Sequence, residues 1–219
     1  MVDLNPSPAA SVASSPALRI LDVARARLFA FGYSALTMEE LAHDLGMSKK
    51  TLYVHFPGKD AIVQAIIESV GQEIRDHMDT VLGNPELDFT QKMCALIEVV
   101  GSNLARTSPG MLHDLQRFAP HLYEKIDDLR SRNAPQVLGR LIRTGLAEGK
   151  VRPEIDPDFA VQFWLQAIRG LMHPAVLERT QLSPRQTLER GIRLFFGGLL
   201  SPAGRDDYDK HLISCEKHH

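Results

Sequence analysis

Residues 34–59, SALTMEELAHDLGMSKKTLYVHFPGK, constrain the fold of this chain more than any other stretch. Two short helical patterns flank Gly46, which has no side chain and so permits the left-handed backbone that ends a helix. Thr37 stands three residues before Glu40 and predicts a capping box at the first helix, and Ser48 predicts the cap of the second. This layout is a helix-turn-helix, whose second helix enters the major groove of duplex DNA.

The second of these helices has the composition of a DNA-binding helix. From residue 48 to residue 59 the sequence contains three lysines, one histidine and no acidic residue. Leu52 and Phe56 are four residues apart and are expected to face inward, which leaves the outer face to polar side chains. Lysine and tyrosine donate to phosphates, whereas short side chains meet base edges. Lys59 begins the next helix, where its charge and the free backbone amides are expected to hold a phosphate.

This segment resembles the DNA-binding domain of tetracycline-repressor-type (TetR/AcrR) regulators. The resemblance rests on the string S-x-x-T-[LIV]-Y-x-[HY]-F-x-x-K, which runs without a gap from Ser48 to Lys59. It implies an all-α fold, with an N-terminal three-helix helix-turn-helix domain and a larger C-terminal helical domain for ligand binding and dimerisation. Lys50 departs from the small residue that is common in the family. The resemblance implies DNA contacts at Thr37, Ser48, Lys49, Lys50, Thr51, Tyr53, Val54, His55 and Lys59.

The alternative is an αα-corner, a common helix pair in which Lys49 and Lys50 are an ordinary solvated pair. A glycine turn alone would favour that alternative, but the aromatic pair, the final lysine and the position near the amino end together favour DNA binding. The net charge of −2 argues against a histone-like DNA binder. A regulator needs positive charge only on its DNA-facing surface, so this charge does not count against one.

The helical period predicts four segments: a disordered tail at 1–16, a helix-turn-helix domain at 17–62, a ligand-sensing and dimerisation domain at 63–200 and a flexible tail at 201–219. A long helix after Pro57 joins the two domains and is the expected lever between them. The first 16 residues lack lysine, arginine and an apolar run, which argues against a secretion signal. Cys94 and Cys215 match no metal or redox spacing. We therefore expect a cytoplasmic protein without a disulfide framework, a metal or a cofactor.

The larger domain is expected to bind a partly apolar small molecule between its helices. Trp164 is the strongest candidate, because it is the only tryptophan and lies in an apolar helix. Each candidate also has an ordinary explanation, since methionines and aromatics at helical spacing are usually core and a lone histidine is usually exposed or satisfied. The candidates lie on helices that line the cavity in similar regulators: Met93, Met111, His113, Arg117, Phe118, His121, Phe163, Trp164, Met172 and His173.

Two well-marked helix starts, Asp156–Pro157 and Ser183–Pro184, open the most apolar helices of the chain. These helices carry more apolar surface than one small domain covers. We therefore expect them to form a homodimer interface as a four-helix bundle across a two-fold axis, with an intramolecular core as the alternative. The candidate interface residues are Phe159, Ile168, Leu188, Ile192, Phe195 and Leu199.

Catalytic motifs are absent from the sequence. It contains no G-x-S-x-G, H-E-x-x-H or C-x-x-C, and residues 145–150, GLAEGK, are too short for a phosphate-binding loop. We expect a homodimeric, sequence-specific transcriptional regulator, namely a repressor that a small effector releases from a palindromic operator. The alternative is a helical adaptor that binds a protein partner and has no salt-dependent affinity for duplex DNA.

Overall fold

The computed structural model describes residues 15–215. Within them the chain forms eleven helices and one isolated antiparallel bridge between Val151 and Leu200. The expected all-α fold is confirmed. The helices are α1 (Pro16–Phe31), α2 (Met38–Asp44), α3 (Lys49–His55), α4 (Lys59–Gly83), α5 (Phe89–Ala105), α6 (Pro109–Phe118), α7 (Pro120–Ala147), α8 (Pro157–Leu171), α9 (Pro174–Thr180), α10 (Pro184–Leu199) and α11 (Pro202–Cys215).

Side-chain caps explain where several helices begin. The Asp156 carboxylate accepts hydrogen bonds from the amides of Asp158 and Phe159 at the start of α8. At α10 the Ser183 hydroxyl accepts from the Gln186 amide, and the Gln186 side chain accepts in return from the Ser183 amide. Such caps satisfy amides that have no partner in the first turn of a helix. Both helix starts predicted from the sequence are confirmed.

The first hydrophobic core lies beneath the helix-turn-helix and continues into the larger domain. Ile20 of α1, Leu41 of α2 and Leu52 of α3 are fully buried in it. Leu115 of α6 and Leu122 of α7 belong to the same cluster. The helix α1 of the DNA-binding unit therefore packs on α6 of the larger domain, and both units share α4. The first 14 residues of the expected tail lie outside the described residues.

The second hydrophobic core lies among α5, α7, α8 and α10. Phe89 and Met93 of α5, Leu141 of α7 and Phe196 of α10 are almost completely buried there. Pro135 lies inside α7, which continues through it to Ala147. Between them, the two cores account for most of the buried apolar side chains of the described chain.

Residues 202–215 form α11, so the prediction of a flexible tail over 201–219 is wrong for this part. The Ser201 hydroxyl accepts from the Gly204 amide at 3.1 Å and donates to the Gly149 carbonyl at 2.7 Å. Gly204 lies against the backbone of Lys150, where a side chain would overlap the carbonyl oxygen. Tyr208 is buried in the second core. Residues 216–219 lie outside the described residues.

The helix α9 was not predicted from the sequence. On α1 the inward stripe contains Ile20, Ala24 and Leu28, whereas Leu18 and Phe31 are exposed. No helix within residues 15–215 is both long and apolar enough to cross a membrane.

Candidate nucleic-acid interface and internal cavity

The turn between α2 and α3 has the geometry that the sequence predicts. Gly46 has a φ of 63°, in the left-handed region that favours glycine. The Met47 amide donates to the Ala42 carbonyl at 3.0 Å and closes the turn. The Ser48 hydroxyl then accepts from the Thr51 amide at 3.1 Å and caps α3. These contacts fix the angle at which α3 leaves α2.

The start of α2 is capped by Thr37. Its hydroxyl accepts from the Glu40 amide at 3.2 Å and donates to the Glu40 carboxylate at 3.0 Å. The expected cap is therefore present, but the carboxylate accepts from the hydroxyl rather than from the backbone amide of Thr37. Thr37 is partly exposed, so its hydroxyl remains at the surface.

One face of α3 is anchored and the opposite face is open. Leu52 is completely buried, whereas Tyr53 is 50% exposed and Val54 is 76% exposed. Residues 48–55 contain no acidic side chain. The exposed residues that the sequence analysis assigned to DNA contact on this face are Ser48, Lys49, Lys50, Thr51, Tyr53, Val54 and His55.

The two lysines of α3 differ in their surroundings. The Lys49 ammonium pairs with the Glu39 carboxylate of α2, and this hydrogen bond is the main reason that the pKa of Glu39 is lowered. The Lys50 side chain is exposed, and among the described residues it has no hydrogen-bond or ion-pair partner. Lys49 must therefore leave Glu39 before it meets a phosphate, whereas Lys50 is available without rearrangement.

Lys59 has a partner that the sequence did not predict. Its ammonium lies 4.0 Å from the centre of the Tyr33 ring and donates to the Tyr33 carbonyl at 3.3 Å. The Tyr33 hydroxyl donates to the Asp60 carboxylate at 2.5 Å. Burial, followed by this hydrogen bond, raises the pKa of Tyr33 well above its ordinary value. Gly58, the residue before α4, provides no side-chain cap, so the first amides of α4 stay open to a phosphate.

Arg27 holds α1 and α2 together. Its Nε donates to the Asp44 carboxylate at 2.5 Å, and its Nη1 lies 3.1 Å from the Glu40 carboxylate. The bond to Asp44 raises the pKa of Arg27 and lowers that of Asp44. These two ion pairs of Arg27 were not predicted from the sequence. The signal for them was the pair of acidic residues four apart on α2, which face one arginine of the preceding helix.

A cavity of about 270 Å³ lies between the two hydrophobic cores. Residues from α1, α4, α5, α6, α7, α8 and α10 line it, and most of them are aliphatic or aromatic. Leu28 of the first core and Phe196 of the second core are both in the lining. Since both cores contribute to its walls, the cavity adjoins the packing of the DNA-binding helices as well as that of the larger domain.

Three of the ten predicted ligand residues line this cavity: Met111, Trp164 and Met172. Met93 packs in the second core outside the lining. The other six are exposed on the outer faces of their helices and do not line this cavity: His113, Arg117, Phe118, His121, Phe163 and His173. Of these, His121 pairs with Asp60 at 3.0 Å, and His173 caps α9.

The sequence analysis missed the polar side chains of the cavity wall. Arg130 is the one charged residue among the described residues that line it, and Asn103, Thr107 and Asn133 are also present. Arg130 falls four residues after Ile126 and four before Ala134, within the apolar stripe of α7. The sequence signal that could have identified Arg130 was its place in the apolar stripe of α7, where a core residue is expected.

The six residues predicted for the dimer interface differ in their exposure. Of these six only Phe159 is exposed, at 72%. Phe163 is 57% exposed and Leu194, which was not predicted, is 81% exposed. These three residues define an apolar outer face on α8 and α10. The other five predicted residues pack within one protomer, in the second core: Ile168, Leu188, Ile192, Phe195 and Leu199.

The fold and the exposed α3 surface define a helix-turn-helix DNA-binding regulator. Residues 20–66 match the family model described as bacterial regulatory proteins, tetR family. This match confirms the predicted resemblance of the segment to the DNA-binding domain of tetracycline-repressor-type regulators.

Curated relatives span most of the chain. It is 24% identical over 175 residues to the uncharacterised HTH-type transcriptional regulator YvaF of Bacillus subtilis, covering 80% of this chain and 90% of YvaF. It is 26% identical over 163 residues to the nucleoid occlusion factor SlmA of Vibrio vulnificus, covering 72% of this chain and 82% of SlmA.

Solved structures share the fold over most of the chain. A transcriptional regulator from Cytophaga hutchinsonii has a TM-score of 0.64 at 18% identity, covering 84% of this chain and 98% of that one. The triclosan complex of SmeT, the repressor of a Stenotrophomonas maltophilia multidrug efflux pump, has a TM-score of 0.61 at 19% identity. That match covers 85% of this chain and 92% of SmeT. At these identities the likeness establishes the common fold.

Proposed function

We propose that this protein is a homodimeric repressor that binds a palindromic operator and releases it when a partly apolar small molecule enters the cavity. The observation that carries the proposal is the α3 surface, which is anchored by buried Leu52 and exposes cationic and short side chains without an acid. Such a surface is suited to the polyanionic wall and the base edges of the major groove.

The exposed residues of α3 have two roles in this proposal. Lys49, Tyr53 and His55 contact phosphates and position the helix, as does Thr37 at the start of α2. Lys50, Thr51 and Val54 contact base edges, and Val54 is suited to the methyl group of thymine. The open amides at the start of α4, rather than the Lys59 ammonium, supply the phosphate contact predicted there, because that ammonium is held by Tyr33.

The apolar outer face of Phe159, Phe163 and Leu194 is the proposed dimer interface. Large exposed apolar side chains on two adjacent helices favour burial against a second copy. Gly197 and Gly198 on α10 are exposed with open space at the Cβ position, so a partner helix can approach closely. A two-fold dimer places two α3 helices in successive major grooves, about 34–36 Å apart.

Release of the operator follows from the position of the cavity. Met111, Leu112 and Leu115 of α6 line it, and Ile66 and Val70 of α4 line it as well. An effector that fills it shifts these two helices, both of which pack against the DNA-binding helices. The effector must bind the released conformation more tightly than the DNA-bound one. SmeT, which shares this fold, forms a complex with triclosan, and this supports the proposal that the present chain binds a small molecule. The proposed setting is the cytoplasm, where operator DNA is accessible.

A salt titration with duplex DNA separates the proposal from the adaptor alternative. The operator complex should weaken steeply as salt rises, because each neutralised phosphate releases counterions. Lys49→Ala, which removes a proposed phosphate contact, should reduce the slope of log affinity against log salt by about 1. Lys210→Ala, which removes an exposed lysine on α11, is the matched control and should leave the slope unchanged. An adaptor predicts no affinity for duplex DNA at any salt concentration.

A further inference from the structure

The charges around the cavity are unbalanced. The Arg130 Nη1 donates to the Asp127 carboxylate at 3.0 Å, and the Arg169 Nε donates to the same carboxylate at 2.9 Å. Two guanidinium groups therefore share one carboxylate. Arginine stays protonated at neutral pH even where burial lowers its pKa, as it does for Arg130. The cluster keeps one net positive charge beside a wall that is otherwise mostly apolar.

Arg130 also has hydrogen-bond donors to spare. A guanidinium carries five N–H groups, and the structure shows one bond from Arg130 to a described side chain. Its side chain keeps 26% of its accessible surface although burial dominates its electrostatics. Since Arg130 is the one charged residue in the cavity lining of the described chain, its unused donors are the candidate partners of a charged group inside the cavity. Asn133 is more fully engaged, because its amide donates to the Gly71 carbonyl and accepts from Arg75, and it carries no charge to match a carboxylate.

We infer that the effector is an apolar monocarboxylic acid whose carboxylate pairs with Arg130 while its hydrocarbon part lies among the apolar side chains of the cavity. This inference rests on the proposed function and specifies the effector of the same site. A guanidinium binds a carboxylate through two parallel hydrogen bonds, and one added negative charge neutralises the cluster. The aliphatic and aromatic side chains of the wall, among them Trp164 and Phe196, favour the hydrocarbon.

Calorimetry with matched acids and alcohols tests the head group. Decanoate and 1-decanol share an aliphatic tail, and 2-naphthoate and 2-naphthalenemethanol share an aromatic one. In at least one pair, the affinity of the wild-type protein for the acid should be at least about tenfold higher than its affinity for the alcohol. A hydrogen bond to a charged group contributes enough free energy for this difference. The pair that shows the preference identifies the source of the carboxylate as aliphatic or aromatic. Equal affinity within both pairs, or binding of none of the four, would overturn the inference.

The variant Arg130→Met tests whether Arg130 is responsible for the preference for the acid. Methionine keeps the bulk of the side chain and leaves Asp127 paired with Arg169, so the variant retains a balanced cluster. It should lose about tenfold in affinity for the preferred acid and none for the alcohol. Arg132→Met, an exposed position on the same helix, should behave as the wild type. If Arg130→Met keeps the full preference for the acid, the inference is wrong.

The same proteins separate this inference from the proposed function. Without any probe, the control Arg132→Met should bind operator DNA as the wild type does. If the alcohol releases the DNA and the acid does not, the effector class is wrong and the repressor stands. If the acid is preferred through Arg130 but no duplex DNA binds, the repressor is wrong and the acid site stands.

Discussion

The Asp114 carboxylate on α6 accepts a hydrogen bond from the backbone amide of Ser34 at 2.6 Å. Ser34 lies in the turn between α1 and α2, which belongs to the helix-turn-helix. The neighbouring residues Met111, Leu112 and Leu115 of the same short helix line the cavity. The helix α6 therefore contacts the cavity on one side and the DNA-binding unit on another. Through this contact, a ligand in the cavity can change the position of α2 and α3.

Asp114→Ala should loosen this connection. The loss of one partly exposed hydrogen bond should lower the free energy of unfolding by about 1 kcal/mol, measured by urea denaturation. The Ser34 amide should exchange with solvent faster, while the amides of α3 keep their protection. His113→Ala, an exposed neighbour on α6, is the control and should change neither quantity. Unchanged exchange at Ser34 would contradict the proposed connection.

Leu52→Ala should destabilise the protein by about 2–5 kcal/mol, because a completely buried leucine leaves a cavity when truncated. It should also abolish operator binding, since α3 loses its anchor. Val54→Ala is the matched change on the exposed face and should alter the stability by less than about 0.5 kcal/mol. It should instead change the preferred bases. Urea unfolding and binding to a panel of duplexes distinguish these outcomes, and equal destabilisation by the two changes would contradict the assigned faces.

Glu39→Gln should strengthen DNA binding. The change releases the Lys49 ammonium from its ion pair and removes a negative charge beside the phosphates. Because an exposed pair is weak, the gain should be about two- to fivefold, measured by fluorescence anisotropy at low salt. Glu86→Gln, which removes an exposed acid in the loop between α4 and α5, should have no such effect. Weaker binding by Glu39→Gln would contradict the phosphate role of Lys49.

Leu194→Asp should convert the proposed dimer to a monomer, because a carboxylate would be buried in an apolar interface. Sedimentation should show half the mass at micromolar concentration, with unchanged helical content. Leu18→Asp introduces the same charge at an exposed leucine on α1 and should leave the dimer intact. A dimer that survives Leu194→Asp would place the interface elsewhere.

The ion pair between Arg25 of α1 and Glu73 of α4 predicts a pH dependence. The hydrogen bond from Arg25 lowers the pKa of Glu73 below its ordinary value of 4.5. Its contribution to stability is therefore complete well above pH 4.5 and is lost as the pH falls through the lowered pKa. Glu73→Gln should be less stable than the wild type at pH 7, and this difference should shrink below about pH 4. Urea unfolding of both proteins at pH 7 and below pH 4 measures the difference in stability. A difference that stays the same at the two pH values would contradict the role of the ion pair.

Local signals made the helix-turn-helix predictable. Gly46 and Ser48 act within a few residues of themselves, so the turn, the cap and the exposed face of α3 follow from the sequence pattern. The position of Lys59 over the Tyr33 ring depends on how a distant turn packs, and no local pattern reports it.

The larger domain was less predictable because its sites depend on tertiary packing. Apolar periodicity identified α8 and α10 but did not separate the side that packs inside one protomer from the side with Leu194. Likewise, the position of Arg130 within the apolar stripe of α7 is visible in the sequence, but only the packing of the neighbouring helices shows that Arg130 lines the cavity. The helix α11 is polar, and it is positioned by the contacts of Ser201 and Gly204 with a loop about 50 residues earlier in the chain.

Selection of random duplex DNA by the purified full-length protein tests the central claim most directly. We expect a palindrome whose half-sites are centred one helical turn apart, about 10–10.5 base pairs, or a multiple of that spacing. Thr51→Ala should change the enriched bases in both half-sites alike. Recovery of sequences with no common element, or of a single half-site without symmetry, would contradict a dimer that presents two copies of α3 to DNA.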